Sequence, residues 1–307
     1  MQKIVVLGSS NVDTTLHVEN FPKPGETINA QKVTEAGGGK GANQAVAAAK
    51  SGSETHFISR VGDDALGTWM LDQLTGYGVL TDRVLKTEGV KTGHAYITLN
   101  SEGQNDIIID HGANYELTPK DVEGAKAVIE DADCVIAQLE TPIDATIAAF
   151  KIAKAAGKTT ILNPAPAIKD LPKELLDLTD VITPNETESA LLTGITISGD
   201  ADLEKNAVKL HELGLKYVII TYGSKGAYVS SPVFTGLVPA FKVKAVDTTA
   251  AGDTFLGFLA GGLASDLGNL HDATVFACRA SSLAVQKLGA QPSIPDRAAV
   301  EAALKEG

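Results

Sequence analysis

The segment Asp247-Thr248-Thr249-Ala250-Ala251-Gly252-Asp253-Thr254-Phe255 combines small residues with a carboxylate at the predicted start of a helix. Ala250, Ala251 and Gly252 leave main-chain N–H groups uncovered, and the first N–H groups of a helix lack internal partners and lie at its positive end. Such a start holds an anion, and Asp253 sets a base beside it. After it, Phe255, Leu256, Phe258, Leu259 and Leu263 recur at the spacing of a core-facing helix.

A second cluster is Gly37-Gly38-Gly39-Lys40-Gly41-Ala42-Asn43-Gln44, ahead of an Ala-rich helical run. A Walker loop needs Ser or Thr after Gly-Lys, and Gly41 stands there; Gly157-Lys158-Thr159 has the Thr but lacks the first glycine. Gly37, Gly39 and Ala42 satisfy a loose dinucleotide fingerprint, yet they do not follow the first strand of a βαβ unit. The remaining reading is a backbone-lined surface for a small polyol. Asn11 and Asp13 follow the first strand, and Glu140 follows the apolar strand Val135–Leu139. Asn185, Glu186 and Glu188 follow Pro184. Each has a structural reading as turn, cap neighbour or first-turn acid. Their convergence on the carboxyl edge of one sheet favours a ligand site.

The elements that must position these groups alternate. Short β-like runs are predicted at 4–8, 55–61, 133–139, 159–163, 181–183 and 217–221, with helices at 41–50, 65–74, 119–129, 143–156 and 203–213. That rhythm predicts an α/β fold, three-layer α/β/α, with a mostly parallel central sheet. Extended segments at 12–18 with 27–36, and 94–99 with 106–111, interrupt it and predict a small separate β-sheet, a lid formed by about 12–36 and 91–111. Residues 1–307 are expected to form one domain, since no linker or repeat divides them.

Composition narrows the function. Hydrophobic residues are 44% and charged ones 21%, and the net charge is −12. A chain so acidic is not expected to bind nucleic acid or an anionic membrane, so any anion must be bound locally. Cys134 and Cys278 are far apart and belong to no zinc pattern. The first residues turn polar at Ser9, too soon for a signal peptide, and no apolar run is long enough to span a bilayer, so a cytoplasmic protein is expected.

Taken together, seven blocks resemble the ribokinase-like family of sugar and nucleoside kinases over nearly the whole chain. They are Gly8–Asp13, Gly38–Ala45, Asn163-Pro164-Ala165-Pro166, Thr183–Glu188, Thr221–Gly226, Asp247–Phe255 and Gly289–Ser293. The first two are similar to the ribose-binding members in particular. The resemblance implies transfer of phosphate from MgATP to the 5-hydroxyl of D-ribose. Asp253 would be the base, and the amides of Ala250, Ala251 and Gly252 the anion hole. It further implies a sugar site of Asn11, Asp13, Gly39, Lys40, Gly41, Ala42, Asn43, Glu140 and Asp253.

By the same resemblance the nucleotide would meet Asn185, Thr221, Tyr222, Gly223, Ser224, Lys225, Gly226, Gly252, Asp253 and Cys278, the last standing where ribokinases carry histidine. Glu188 would organise magnesium-bound water. Asp247, Thr249, Ala284, Lys287, Gly289 and Ser293 would hold potassium, mostly through backbone carbonyls. Lys287 could offer only its carbonyl, since an ammonium has no lone pair. A homodimer paired through the lid is also implied. Two alternatives stay open: a kinase for deoxyribose or another furanose or nucleoside, and a non-catalytic sugar-binding regulator on the same scaffold.

Overall fold

A computed structural model describes residues 1–306. Among them the strands are β1 (Lys3–Leu7), β2 (Asn11–His17), β3 (Lys32–Gly38), β4 (Glu54–Gly62), β5 (Leu80–Thr87), β6 (Gly93–Leu99), β7 (Asn105–Asp110), β8 (Cys134–Ala137), β9 (Thr159–Leu162), β10 (Val181–Ile182), β11 (Tyr217–Thr221), β12 (Gly226–Ser230) and β13 (Thr235–Pro239). The main sheet has the order β13-β12-β11-β10-β9-β8-β1-β4-β5, and β3-β2-β6-β7 form a second sheet. From β5 to β11 every pairing in the main sheet is parallel; β12 and β13 add an antiparallel edge.

Both faces of that sheet are covered, and the period-2 alternation of a strand divides its side chains between them. Ile4 and Val6 of β1 join the cluster containing Phe57, Phe255 and Phe258, whereas Val5 and Leu7 join the one containing Phe150 and Ile129. Phe255, Leu256, Phe258, Leu259 and Leu263 are all buried, so the helix predicted after Asp253 faces the core as its spacing required.

The predicted helix at 119–129 is two short ones, Pro119–Gly124 and Lys126–Asp131, separated at Ala125, whose backbone leaves the helical region. The second sheet begins one residue earlier than its predicted boundary, and its strand β3 runs through Gly37 and Gly38 rather than ending at residue 36. Those glycines are extended because they pair with Val12 and Asn11. Of the glycine run only Gly39 is a true turn residue, capping the Lys40–Lys50 helix at φ 86°.

That helix carries Ala45 to Ala48 and crosses the Ala251–Gly262 helix closely. A Cβ on Gly257 would lie 2.4 Å from the Ala47 Cβ and 2.6 Å from the Ala48 nitrogen. Gly257→Leu is therefore expected to force the two helices apart at a cost of about 1–3 kcal/mol or more. Thermal or denaturant unfolding checks this, and unchanged stability would refute the close crossing.

Candidate active site

At the carboxyl edge of the main sheet the chain ends successive parallel strands on polar residues. Ser9 and Ser10 follow β1, Gln138 and Glu140 follow β8, Asn163 follows β9, Thr183 follows β10 and Thr221 closes β11. A parallel sheet aims all its strand ends the same way, which gathers residues remote in sequence at one rim. A cavity of about 200 Å³ opens there, lined by Lys40, Asn163, Asn185, Glu188, Thr221, Ala250, Ala251, Gly252 and Asp253 among others.

One wall is the start of the Ala251–Gly262 helix. Ala250 is its N-cap, with φ 57° and no side-chain cap bond; the Ala251 amide donates to the Thr248 carbonyl at 3.2 Å, so of the three amides expected to be open only those of Ala250 and Gly252 are left to the cavity. This left-handed backbone is uncommon for any residue with a Cβ and stores strain at the helix start. Asp253 stands in the first turn and is 8% exposed. Its Oδ2 accepts from Asn43 Nδ2 at 3.1 Å and its Oδ1 from Gln44 Nε2 at 2.9 Å. Burial raises its carboxyl above the usual range, while Lys40 and these two amides pull the other way.

Glu140 accepts from the Ser9 hydroxyl and from the Lys40 amide at 3.0 Å. Asn11 opens β2, and Asn114 fixes its Oδ1 by donating at 2.8 Å. The Asp13 carboxylate fills the space left by Gly38, where a Cβ would fall 2.1 Å from Asp13 Oδ2. Lys40 faces Asp253, Glu140 and Glu188. Burial lowers its amine, yet the three carboxylates outweigh this and hold it above its ordinary value.

Burial, with Glu140 and Asp253 adding to it, pushes the Asp13 carboxyl up to about 7. A carboxyl with a raised folded value supports the fold in its protonated form, fully below ~4, and that support is lost as pH rises through its folded value. The ligand-free protein is therefore expected to lose stability from about pH 4 to about 7 relative to Asp13→Asn. Melting temperatures of both proteins across that range check this, and parallel profiles would contradict it.

Asn185 and Glu188 form a capping box for the Glu186–Thr193 helix, so the structural reading of these residues is correct as far as it goes. Both also line the cavity. Of the remaining residues expected around a nucleotide, Thr221 lines it; Tyr222 to Gly226 form the turn from β11 into β12 beyond the lining. Cys278 does not reach the lining. It is buried in the Leu270–Ala284 helix, and burial pushes its thiol up to about 12.

Asp247 ties two loops together. Its Oδ1 accepts from Thr249 N and Oγ1 at 2.9 and 2.6 Å, and its Oδ2 accepts from Gly289 N at 2.8 Å. Val285 O receives the Val246 and Asp247 amides, and Ser281 Oγ reaches Ala251 O at 3.0 Å. The loops bearing Ala284, Lys287, Gly289 and Ser293 thus lie against the segment that ends in the open amides. Among the described residues no cluster of three His, Cys, Asp or Glu suits a transition metal.

Sequence reasoning missed the neutral amides Gln44, Asn114, Gln138 and Asn163 as site members. Asn163 and Gln44 each lay within a block the sequence singled out, which was the available signal for them.

A layered α/β/α scaffold, with an anion-receptive helix start beside a buried carboxylate, defines a small-molecule phosphotransferase. The model of the pfkB family carbohydrate kinases matches residues 1–297. The chain belongs to that family.

It is 49% identical over 294 residues to a ribokinase of Staphylococcus aureus, covering 95% of this chain and 96% of that protein. It is 51% identical to a bifunctional ribokinase/ribose-5-phosphate isomerase A of Fructilactobacillus sanfranciscensis, covering 98% of this chain but spanning 56% of that longer protein. Arabidopsis thaliana ribokinase complexed with ribose and ATP superposes with a TM-score of 0.91 at 38% identity, over 99% of each chain.

Proposed function

We propose that the protein transfers the γ-phosphoryl group of ATP to the 5-hydroxyl of D-ribose, giving D-ribose 5-phosphate and ADP. The observation that carries this reading is the placement of Asp253, a buried carboxylate one residue past a helix start at which the Ala250 and Gly252 amides have no backbone partner. The sugar oxygen attacks phosphorus as the bond to the β,γ-bridging oxygen breaks, and the hydroxyl proton passes to the Asp253 carboxylate. In a loose transition state that proton leaves late, so placement of the base counts for more than its strength.

Asn11, Asp13, Asn43 and Glu140 read the sugar hydroxyls, with the backbone of Gly39, Gly41 and Ala42 lining the approach and the Lys40 ammonium on the phosphate side. A site built from buried carboxylates and amides rejects a sugar lacking a hydroxyl, because one of its groups is then left unpaired. Magnesium, held through water at Glu188, would neutralise phosphate charge. Potassium at the carbonyls of Asp247, Thr249, Ala284, Lys287, Gly289 and Ser293 would fix the direction of the anion-hole amides.

The reading also takes the second sheet as a lid and as the contact of a homodimer. Its outer residues Tyr96, Ile107, Ile108 and Ile109 are exposed, and its edge strand β7 is exposed throughout. Two free, buried cysteines suit a cytoplasmic setting. No described helix is long and apolar enough to cross a membrane.

The test is a side-by-side rate measurement on ribose and 2-deoxyribose with MgATP. A clear preference for 2-deoxyribose would remove the ribose reading, and no turnover on any sugar would leave only a binding role. Sodium in place of potassium is expected to lower the rate, and indifference to the swap counts against the cation site.

A further inference from the structure

We propose that Gln44 and Gln138 form an amide relay that positions Asp253 and commits its Oδ2, rather than its Oδ1, to receive the substrate proton. The inference rests on the reading of Asp253 as the proton acceptor. Both glutamines are wholly buried and neither lines the cavity. Gln138 Nε2 donates to Gln44 Oε1 at 2.6 Å, and Gln44 Nε2 donates to Asp253 Oδ1 at 2.9 Å. The relay thus runs from the end of β8, through the Lys40–Lys50 helix, to the Ala251–Gly262 helix.

Its direction follows from groups that cannot donate. An ionised carboxylate only accepts, so Gln44 must turn its NH₂ toward Asp253. The same Nε2 reaches Asn163 Oδ1 at 3.2 Å, and Asn163 Nδ2 is committed to the Thr183 carbonyl at 3.0 Å. Asn163 therefore cannot present a donor to Gln44. With its NH₂ held by two acceptors, Gln44 offers only Oε1 on its other side, which Gln138 meets with its NH₂. Room for that amide comes from Gly8, where a Cβ would lie 2.0 Å from Gln138 Oε1.

The two oxygens of Asp253 are consequently unlike. Oδ1 faces a donor held by Asn163, because reversing Gln44 would set its Oε1 against Asn163 Oδ1, so a proton placed there would meet an N–H; Gln138, whose own Oε1 has no partner among the described residues, supports this orientation without locking it. Oδ2 faces Asn43 Nδ2 at 3.1 Å, and Asn43 Oδ1 is buried with no partner among the described residues. On its far side that amide would meet only the sugar hydroxyl, which can donate or accept alike. It can turn over and present Oδ1 to a newly protonated Oδ2, so the proton settles on Oδ2. Lys40 from the same helix, Glu140 from the strand end that carries Gln138, Glu188 and Asp13 also act on Asp253, and the variants below retain all four.

Gln44→Met keeps the side-chain volume and removes the donor. It is expected to lower kcat at least about tenfold with ribose KM within about threefold. The acid limb of kcat/KM moves to higher pH, because the carboxylate loses a hydrogen bond that favoured it. Gln138→Met moves the limb the same way by less. The double variant is no worse than Gln44→Met alone, because Gln138 acts only through Gln44. An unmoved limb in a folded Gln44→Met, or full additivity of the two substitutions, overturns the relay.

Where Gln44→Met does not fold, Gln138→Asn, which retains an amide but falls one methylene short, carries the same expectation, and an unmoved limb there overturns the relay equally. A readout independent of turnover is the ¹³C titration of labelled aspartate, with the Asp253 signal identified by its absence in Asp253→Asn. If the wild-type chain does not phosphorylate ribose, the functional reading falls, while this titration still decides the relay: an upward move in Gln44→Met supports it and no move overturns it.

Discussion

Asp253→Asn is expected to lower turnover roughly 10²–10⁴-fold while ribose affinity changes much less. The substitution keeps the shape of the side chain and one acceptor oxygen, so the sugar can still be held by Asn11, Asp13, Asn43 and Glu140. What it removes is the basic carboxylate oxygen that, on the proposed reading, takes the proton. The local cost is one mismatched contact, because the new NH₂ must face either Gln44 Nε2 or Asn43 Nδ2, both donors to the native carboxylate. Gln44 is locked and Asn43 is not, so Asn43 turns and the fold survives. Steady-state kinetics give kcat, and calorimetry with ribose gives affinity. Near-normal turnover would remove Asp253 as the base, and an equal loss in affinity would make it a sugar ligand first.

The parts of this molecule that could be read from its sequence are those whose surroundings impose a simple pattern. Strands β1 and β8 are buried on both faces, which demands nearly unbroken apolar runs that are visible without a structure. Strand β5 escaped because it lies at the sheet edge, where of its eight residues only Val84 is buried and charged residues are tolerated. The hairpin of β12 and β13 was hidden by Gly226, Pro232 and Gly236, which look like loop in sequence yet permit the turn and a backbone crowded against Val238.

The site divides the same way. Charged residues and glycines at strand ends stood out, because their types are unusual where they occur. Among the neutral amides Asn11, Asn43 and Asn185 stood out with them, but Gln44, Asn114, Gln138 and Asn163 did not. Gln44, Gln138 and Asn114 are defined by partners 94 to 209 positions away, and a glutamine on a helix looks the same in sequence whether it meets water or a buried carboxylate. The Asn185–Glu188 box shows the converse limit. Its local reading as a helix cap holds, and only the cavity beside it reveals a second use for the same pair.

Gly252→Asp separates the anion hole from the fold, because the two respond in opposite directions. A Cβ at Gly252 would meet no atom within 4 Å, and its backbone is not left-handed, so a side chain is accommodated. Replacing glycine in a helix removes an entropic penalty, and an acidic residue in the first turn complements the dipole by about 0.3–1 kcal/mol. Stability is therefore expected to hold or rise. Because Gly252 lines the cavity, the added carboxylate is expected to bring negative charge to where the transferring phosphoryl group would sit. Removing one well-placed donor from such a hole costs roughly 10²–10³-fold in rate, and setting a like charge before it costs at least as much. Turnover collapsing in a protein that melts no lower than its parent is the expected result. Retained turnover would show that the phosphoryl group lies elsewhere, and a fall in melting temperature would show that the open space at Gly252 is not available to a side chain.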